Sequence, residues 1–169
     1  MYYTKNKSEN KNPELNNRPY FITAETKDAI TDQYPSNVVF YAVDAESEKK
    51  LGRCSISKKG SSTGVSINTL ELFDHAFDHC GIGSTLLNIA ENYAYQKLHS
   101  NYATLLCSPD KGYEEAVSNL YYFKAGYAKF TALNHLMKDL KQETLMEMLD
   151  IDDIDFSHVD QYYQAPEQQ

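Results

Sequence analysis

At 169 residues the chain has the length of one domain with a core of its own, and 41% of its residues are hydrophobic. A net charge of −8 argues against nucleic-acid binding through bulk electrostatics, which needs clustered Lys and Arg, and fits a cationic substrate or partner. Three widely spaced cysteines (Cys54, Cys80, Cys107) suggest neither a disulfide framework nor a structural zinc site. No run is apolar and long enough to span a membrane, and the N-terminal stretch lacks a secretory apolar segment, so a cytoplasmic setting is expected.

Residues 1–17 are polar and rich in Asn and Lys, and read as a flexible lead-in. Pro19 to Ala24 reads as a strand, and Glu25 to Tyr34 as a short helix stopped by Pro35-Ser36. Val38 to Val43 is apolar and rich in β-branched and aromatic residues, which predicts a strand. Gly52 to Ser57 alternates and pairs back on it as a hairpin, and Gly64 to Phe73 is the third strand of a meander. The change of parity between Ile67 and Leu70 predicts a bulge.

Ile82, Leu86, Ile89, Ala90, Tyr93, Ala94 and Leu98 fall on one helical face, so a helix runs from Ile82 to about His99. Tyr102 to Cys107 is a short strand. Gly112 to Ala125 is a second helix, with Gly126 placed as its C-terminal stop. Tyr127 to Leu133 and His135 to Leu140 form a closing hairpin. The order β-α-β-β-β-α-β-α-β-β predicts an α+β fold with a mixed sheet.

The composition changes at Lys141. Glu143, Glu147, Asp150, Asp152, Asp153, Asp155 and Asp160 follow with no Lys or Arg among them. Residues 141–169 read as a solvated acidic extension, or as a flank that attracts a basic amine. A third reading makes Leu145, Met146, Met148, Leu149, Ile151 and Ile154 a docking segment for a homodimer.

The stretch Asp78-His79-Cys80-Gly81-Ile82-Gly83-Ser84 joins a strand to a helix. Two glycines at such a junction let the backbone bend and present N–H groups at a helix N-terminus, where an anion is favoured. Leu86 stands where a dinucleotide-binding fingerprint has Gly or Ala, and no G-K-[ST] follows, so neither a Rossmann turn nor a P-loop fits. The plain alternative is a tight turn that packs helix against strand. His75-Ala-Phe-Asp78-His79 is close to an inverted zinc-peptidase motif but stands before the helix rather than on it, so no metal is expected. Cys107, at a strand end, reads as a small buried hydrophobe rather than a nucleophile.

Ser118-Asn119-Leu120-Tyr121-Tyr122-Phe123-Lys124-Ala125-Gly126-Tyr127 follows one helix and one strand after the glycine turn. The pair D-H-C-G-I-G and Y-Y-F-K-A-G-Y, in this order and spacing, resembles the GCN5-related N-acetyltransferase (GNAT) family over roughly residues 18–140. The resemblance implies a mixed, mostly antiparallel sheet flanked by helices. It also implies transfer of an acetyl group from acetyl-CoA to a primary amine by direct attack in a ternary complex. A GNAT-fold module that binds CoA or a protein without catalysis is the alternative.

On this resemblance, backbone N–H groups of His79, Cys80, Gly81, Ile82, Gly83 and Ser84 would hold the CoA pyrophosphate. Leu72 and Phe73 would pair with the pantetheine arm and polarise the thioester carbonyl, and Asn119 would contact the arm as well. The strand Leu105 to Ser108 would splay from its neighbour to open the cofactor gap. Tyr122 would protonate the departing thiolate. An alkyl ammonium titrates at about 10.4 in water, so a base must act on the acceptor, with Glu71 the first choice and His75 the second. Asp78 stands where the family has Arg or Gln, and His75, His79 or Lys111 would offset its charge. The acceptor is expected to be a small-molecule or protein amine, cationic, with no nucleic acid or membrane involved.

Overall fold

The computed structural model describes residues 1–5, 17–26, 35–58, 63–77, 80–106, 121–129, 135–151 and 154. The strands are β1 (Tyr2–Tyr3), β2 (Pro19–Glu25), β3 (Asn37–Asp44), β4 (Lys50–Ser57) and β5 (Gly64–Leu72). A helix α1 (Ile82–Gln96) follows, and then β6 (Tyr102–Leu106), β7 (Ala128–Lys129) and β8 (His135–Asp139). Among the described residues they form one eight-stranded sheet in the order β1-β2-β3-β4-β5-β6-β8-β7. Neighbours pair antiparallel except β5 and β6, which run parallel across the α1 crossover.

The meander forms because its residues alternate. Val38, Phe40 and Ala42 are buried and their neighbours Val39 and Tyr41 are not, which suits a half-buried pleated surface. The predicted bulge is present: Ser55 stands opposite Thr69 and Ile56 opposite Ile67, so Asn68 is the extra residue.

Helix α1 covers one face of the sheet. A Cβ on Gly52 would lie 3.4 Å from Leu86 Cδ1, so Gly52 and Cys54 face α1. Lys138 bonds Glu91 of α1, so Lys138 and Leu136 face it as well. By alternation, Arg53, Ser55, Thr69, Glu71, Leu106 and His135 point to the opposite face. The Arg53–Glu71 and Ser55–Thr69 side-chain contacts agree with that assignment.

Both ends of the chain depart from expectation. Residues 2–3, expected within a flexible lead-in, form the edge strand β1: Tyr2 stacks on Tyr20, and Lys5 N–H donates to Cys80 O. In the acidic tail, Leu145, Ile151 and Ile154 are buried in this chain's own core. Asn92 and Gln96 of α1 fasten it, donating to Glu147 O and Leu149 O at 2.8 Å each. Those apolar residues therefore cannot serve as a free docking strip for a second copy; Met146 and Met148 remain exposed. Glu25, expected to open a helix, ends β2, and residues 27–34 lie outside the described residues. The expected second helix is described only in its last turn, residues 121–124. None of the described helices is long and apolar enough to cross a membrane.

Candidate active site

Strand β5 keeps its pairing with β4 as far as Leu72, but pairs with β6 only from Gly64 to Ile67. Beyond the Asn68 bulge the two parallel strands part. A cavity of about 460 Å³ opens in the gap, lined by Asn68, Thr69 and Glu71 on one wall and Thr104, Leu106, Tyr122 and His135 on the other. Leu105, expected to begin the splay, still pairs with Ile67, so the gap starts one residue later; residues 107–108 lie outside the described residues.

The register decides which backbone donors face this gap. Phe73 N–H donates to Leu51 O at 2.9 Å, toward β4. Alternate N–H groups along a strand point to opposite edges. Glu71 therefore shares the β4 side, and the N–H groups of Leu70 and Leu72 point to the side that β6 has left. Leu72 thus directs its N–H to the gap. Phe73 does not: its N–H is committed to Leu51, and the residue is 48% exposed at the end of the strand.

Glu71 sits on the wall facing away from α1. Arg53 Nε donates to its Oε1 at 2.5 Å, and the Arg53 guanidinium also lies 6.0 Å from the Phe73 ring centre. Tyr122 occupies the helical turn 121–124 on the opposite wall. Its carbonyl accepts from Tyr127 N–H at 3.0 Å, and its ring meets Tyr121 and Tyr127 edge-on at 5.1 and 5.9 Å. Gly126, at φ +103°, makes the reversal that brings Tyr127 back. Tyr121 turns instead toward α1, its hydroxyl 3.4 Å from Ser84 Oγ, and burial pushes it up to about 12.

The glycine turn caps α1. Gly81 adopts φ +88°, and a Cβ there would meet nothing within 4 Å. The first bond of the helix runs from Thr85 N–H to Gly81 O at 3.0 Å, and no side chain caps the end. The N–H groups of Ile82, Gly83 and Ser84 precede that bond and point out of the helix. Cys80 is buried, with its N–H directed at Phe77 O (3.3 Å) rather than outward. An open approach, outward N–H groups and a strand edge in the adjoining gap fit an elongated ligand with an anionic end, such as acetyl-CoA.

The fold thus brings Glu71 and Tyr122 to one cavity, with Leu72 the next residue of β5 beyond its lining. Asp78, His79, Cys107, Lys111 and Asn119 lie outside the described residues. Sequence reasoning did not single out Thr69, Thr104 or His135 as cavity residues. Thr69 stands in the gap because β5 leaves β6 beyond the Asn68 bulge, and His135 joins the Thr104 wall because β8 pairs with β6, which no local pattern announces.

No family model matches the chain, and no curated protein matches it. Solved structures do. PaiA N-acetyltransferase from Thermoplasma acidophilum, solved in complex with coenzyme A, is 19% identical over 60% of this chain with a TM-score of 0.48; this chain spans 59% of that protein's length. A variant of SpeG spermidine N-acetyltransferase from Vibrio cholerae is 12% identical over 64% of this chain and 67% of its own, with a TM-score of 0.52. The AtaT toxin bound to the C-terminus of the antitoxin AtaR is 15% identical over 75% of this chain and 98% of its own, with a TM-score of 0.54. The chain has the fold of the GCN5-related N-acetyltransferases.

Proposed function

We propose that the protein is an N-acetyltransferase that passes an acetyl group from acetyl-CoA directly to a primary amine held in the same complex. The observation that carries this reading is the gap between β5 and β6, where the Leu70 and Leu72 N–H groups face the side lined by Tyr122. Acetyl-CoA supplies the acetyl group already activated as a thioester. The N–H groups of Ile82, Gly83 and Ser84 bind its pyrophosphate at the α1 N-terminus. The N–H groups of Leu70 and Leu72 hold the pantetheine arm as an added strand and stabilise the negative charge that develops on the carbonyl oxygen. The Tyr122 hydroxyl gives its proton to the departing sulfur.

The acceptor enters from the face away from α1, where the Glu71 carboxylate favours a cationic amine. The net charge of −8 acts in the same direction. That the similarly folded SpeG is a spermidine N-acetyltransferase is in keeping with such an acceptor.

Thermal unfolding with and without acetyl-CoA tests the cofactor. A ligand at 100 times its Kd stabilises by about 2.7 kcal/mol, and no shift at millimolar acetyl-CoA refutes the reading. Release of free thiol over a panel of amines tests the transfer. Binding without thiol release leaves a CoA-binding module in its place. Tyr122→Phe is expected to lower kcat with little change in the thermal shift, and an unchanged kcat removes Tyr122 from the chemistry.

A further inference from the structure

The acceptor amine is an ammonium ion near neutral pH and must lose a proton before its nitrogen can attack. Glu71 faces the gap, but Arg53 Nε holds its Oε1 at 2.5 Å. Taking up a proton in every cycle would neutralise the partner of that guanidinium. Carboxylates as a class are also poor proton acceptors near neutral pH, where imidazoles exchange protons readily.

The other wall carries an imidazole. His135 opens β8 directly opposite Leu106, the last residue of β6, on the face away from α1. It lines the same cavity as Glu71 and Tyr122. We propose that His135 is the base that deprotonates the acceptor, while Glu71, held by Arg53 across the gap, draws the ammonium in. This rests on the acetyl-transfer reading.

The groups around His135 suit that division of labour. Glu71 with Arg53 faces it across the gap, and Tyr122 comes from the helical turn. Thr104 and Leu106 of β6 share its face. Asp139 lies two alternations along β8 on the same face, while Lys129 of β7 stands opposite Leu136 and so belongs to the other.

The step balances as follows. One ammonium proton passes to a ring nitrogen of His135. The freed lone pair forms the N–C bond at the thioester carbonyl, and the C–S bond breaks. The sulfur takes the Tyr122 hydroxyl proton. The second nitrogen proton, lost as the amide forms, restores Tyr122 through solvent, and His135 releases its proton to solvent.

The test uses the full chain with His135→Gln and, separately, Glu71→Gln. Turnover of an alkylamine is followed against pH at saturating acetyl-CoA. His135→Gln is expected to lower kcat by about 10²-fold or more at neutral pH, with activity returning as pH rises and the free amine is populated. An aromatic amine, already neutral at pH 7, is expected to be acetylated nearly as well by the variant as by the wild type; a purely structural role for His135 would not produce that rescue. Glu71→Gln is expected to raise the KM for the alkylamine and keep the wild-type pH profile.

The acetyl-CoA thermal shift of each variant reports that the cofactor site is intact. An unaltered pH profile in His135→Gln overturns the assignment, as does loss of turnover without rescue by the neutral amine. A wild-type chain with no acetyl-CoA shift and no thiol release overturns the acetyl-transfer reading itself, and the base assignment falls with it.

Discussion

Lys138 Nζ on β8 lies 2.7 Å from Glu91 Oε1 in the middle of α1, and solvent reaches almost nothing of either side chain. The Tyr127 hydroxyl donates to the other Glu91 oxygen at 2.8 Å. Three elements are thereby tied at one point: the helix behind the glycine turn, the strand that begins at His135, and the segment that returns from Tyr122. Burial pushes the Glu91 carboxyl up even though Lys138 and Tyr127 pull it down, and burial beside Glu91 pushes the Tyr127 hydroxyl well up.

A buried pair of this kind is costly to break from one side. Lys138→Met leaves Glu91 buried without its cation and is expected to cost about 3–5 kcal/mol, whereas Glu91→Leu combined with Lys138→Met is expected to cost much less than the two single changes together. Urea unfolding of the two single variants and the double variant measures this. Strict additivity would mean that the pair is not coupled.

Arg18 and Asp44 make a second ion pair, at the opposite side of the sheet. Arg18 Nε and Nη2 donate to the two Asp44 oxygens at 2.7 and 2.9 Å, and Ser47 adds its N–H at 2.9 Å and its hydroxyl at 2.6 Å. The Arg18 bonds hold the carboxyl well below the usual carboxylate range, against the effect of burial. A lowered folded-state pKa means that in acid the unfolded chain binds the extra proton. The stabilisation is therefore complete above the unfolded value of about 3.9 and is lost as pH falls below it. Asp44→Asn is expected to cost about 1–3 kcal/mol at pH 7 and to flatten the loss of stability below about pH 4. Urea midpoints at several pH values read both effects, and an unchanged acid slope would remove Asp44 as a source of it.

What the sequence showed and what it hid divide along a physical line. The meander, the Asn68 bulge and the α1 face depend on residues a few positions apart, so their periodicity carries them. The wall formed by His135 depends on β8 lying beside β6, a pairing across about thirty residues that no local pattern encodes. The difference between Leu72 and Phe73 is a matter of register, since one residue reverses the edge to which an N–H points. The tail looked like solvated acid because its charges outnumber Leu145, Ile151 and Ile154. Those three are nevertheless buried, while Asn92 and Gln96 of α1 satisfy tail carbonyls across more than fifty residues of chain.

Gly81 and Gly83 play different parts in the turn. Gly81 sits at φ +88°, where an L side chain is strained, and the space before it is open. Gly81→Ala is thus expected to cost about 1–2 kcal/mol from backbone strain alone. Gly83 lies within α1 at no unusual φ, and a Cβ there would meet only the Tyr121 hydroxyl, at 3.7 Å. Gly83→Ala is expected to leave stability equal or slightly higher, by up to about 1 kcal/mol. A methyl group on Gly81 would stand in the open space before the turn, toward which the Ile82, Gly83 and Ser84 N–H groups point, whereas one on Gly83 would face the Tyr121 hydroxyl. Gly81→Ala is therefore expected to bind acetyl-CoA at least several-fold more weakly by isothermal titration, and Gly83→Ala to keep the wild-type affinity. Wild-type affinity in Gly81→Ala would place the pyrophosphate somewhere other than this turn.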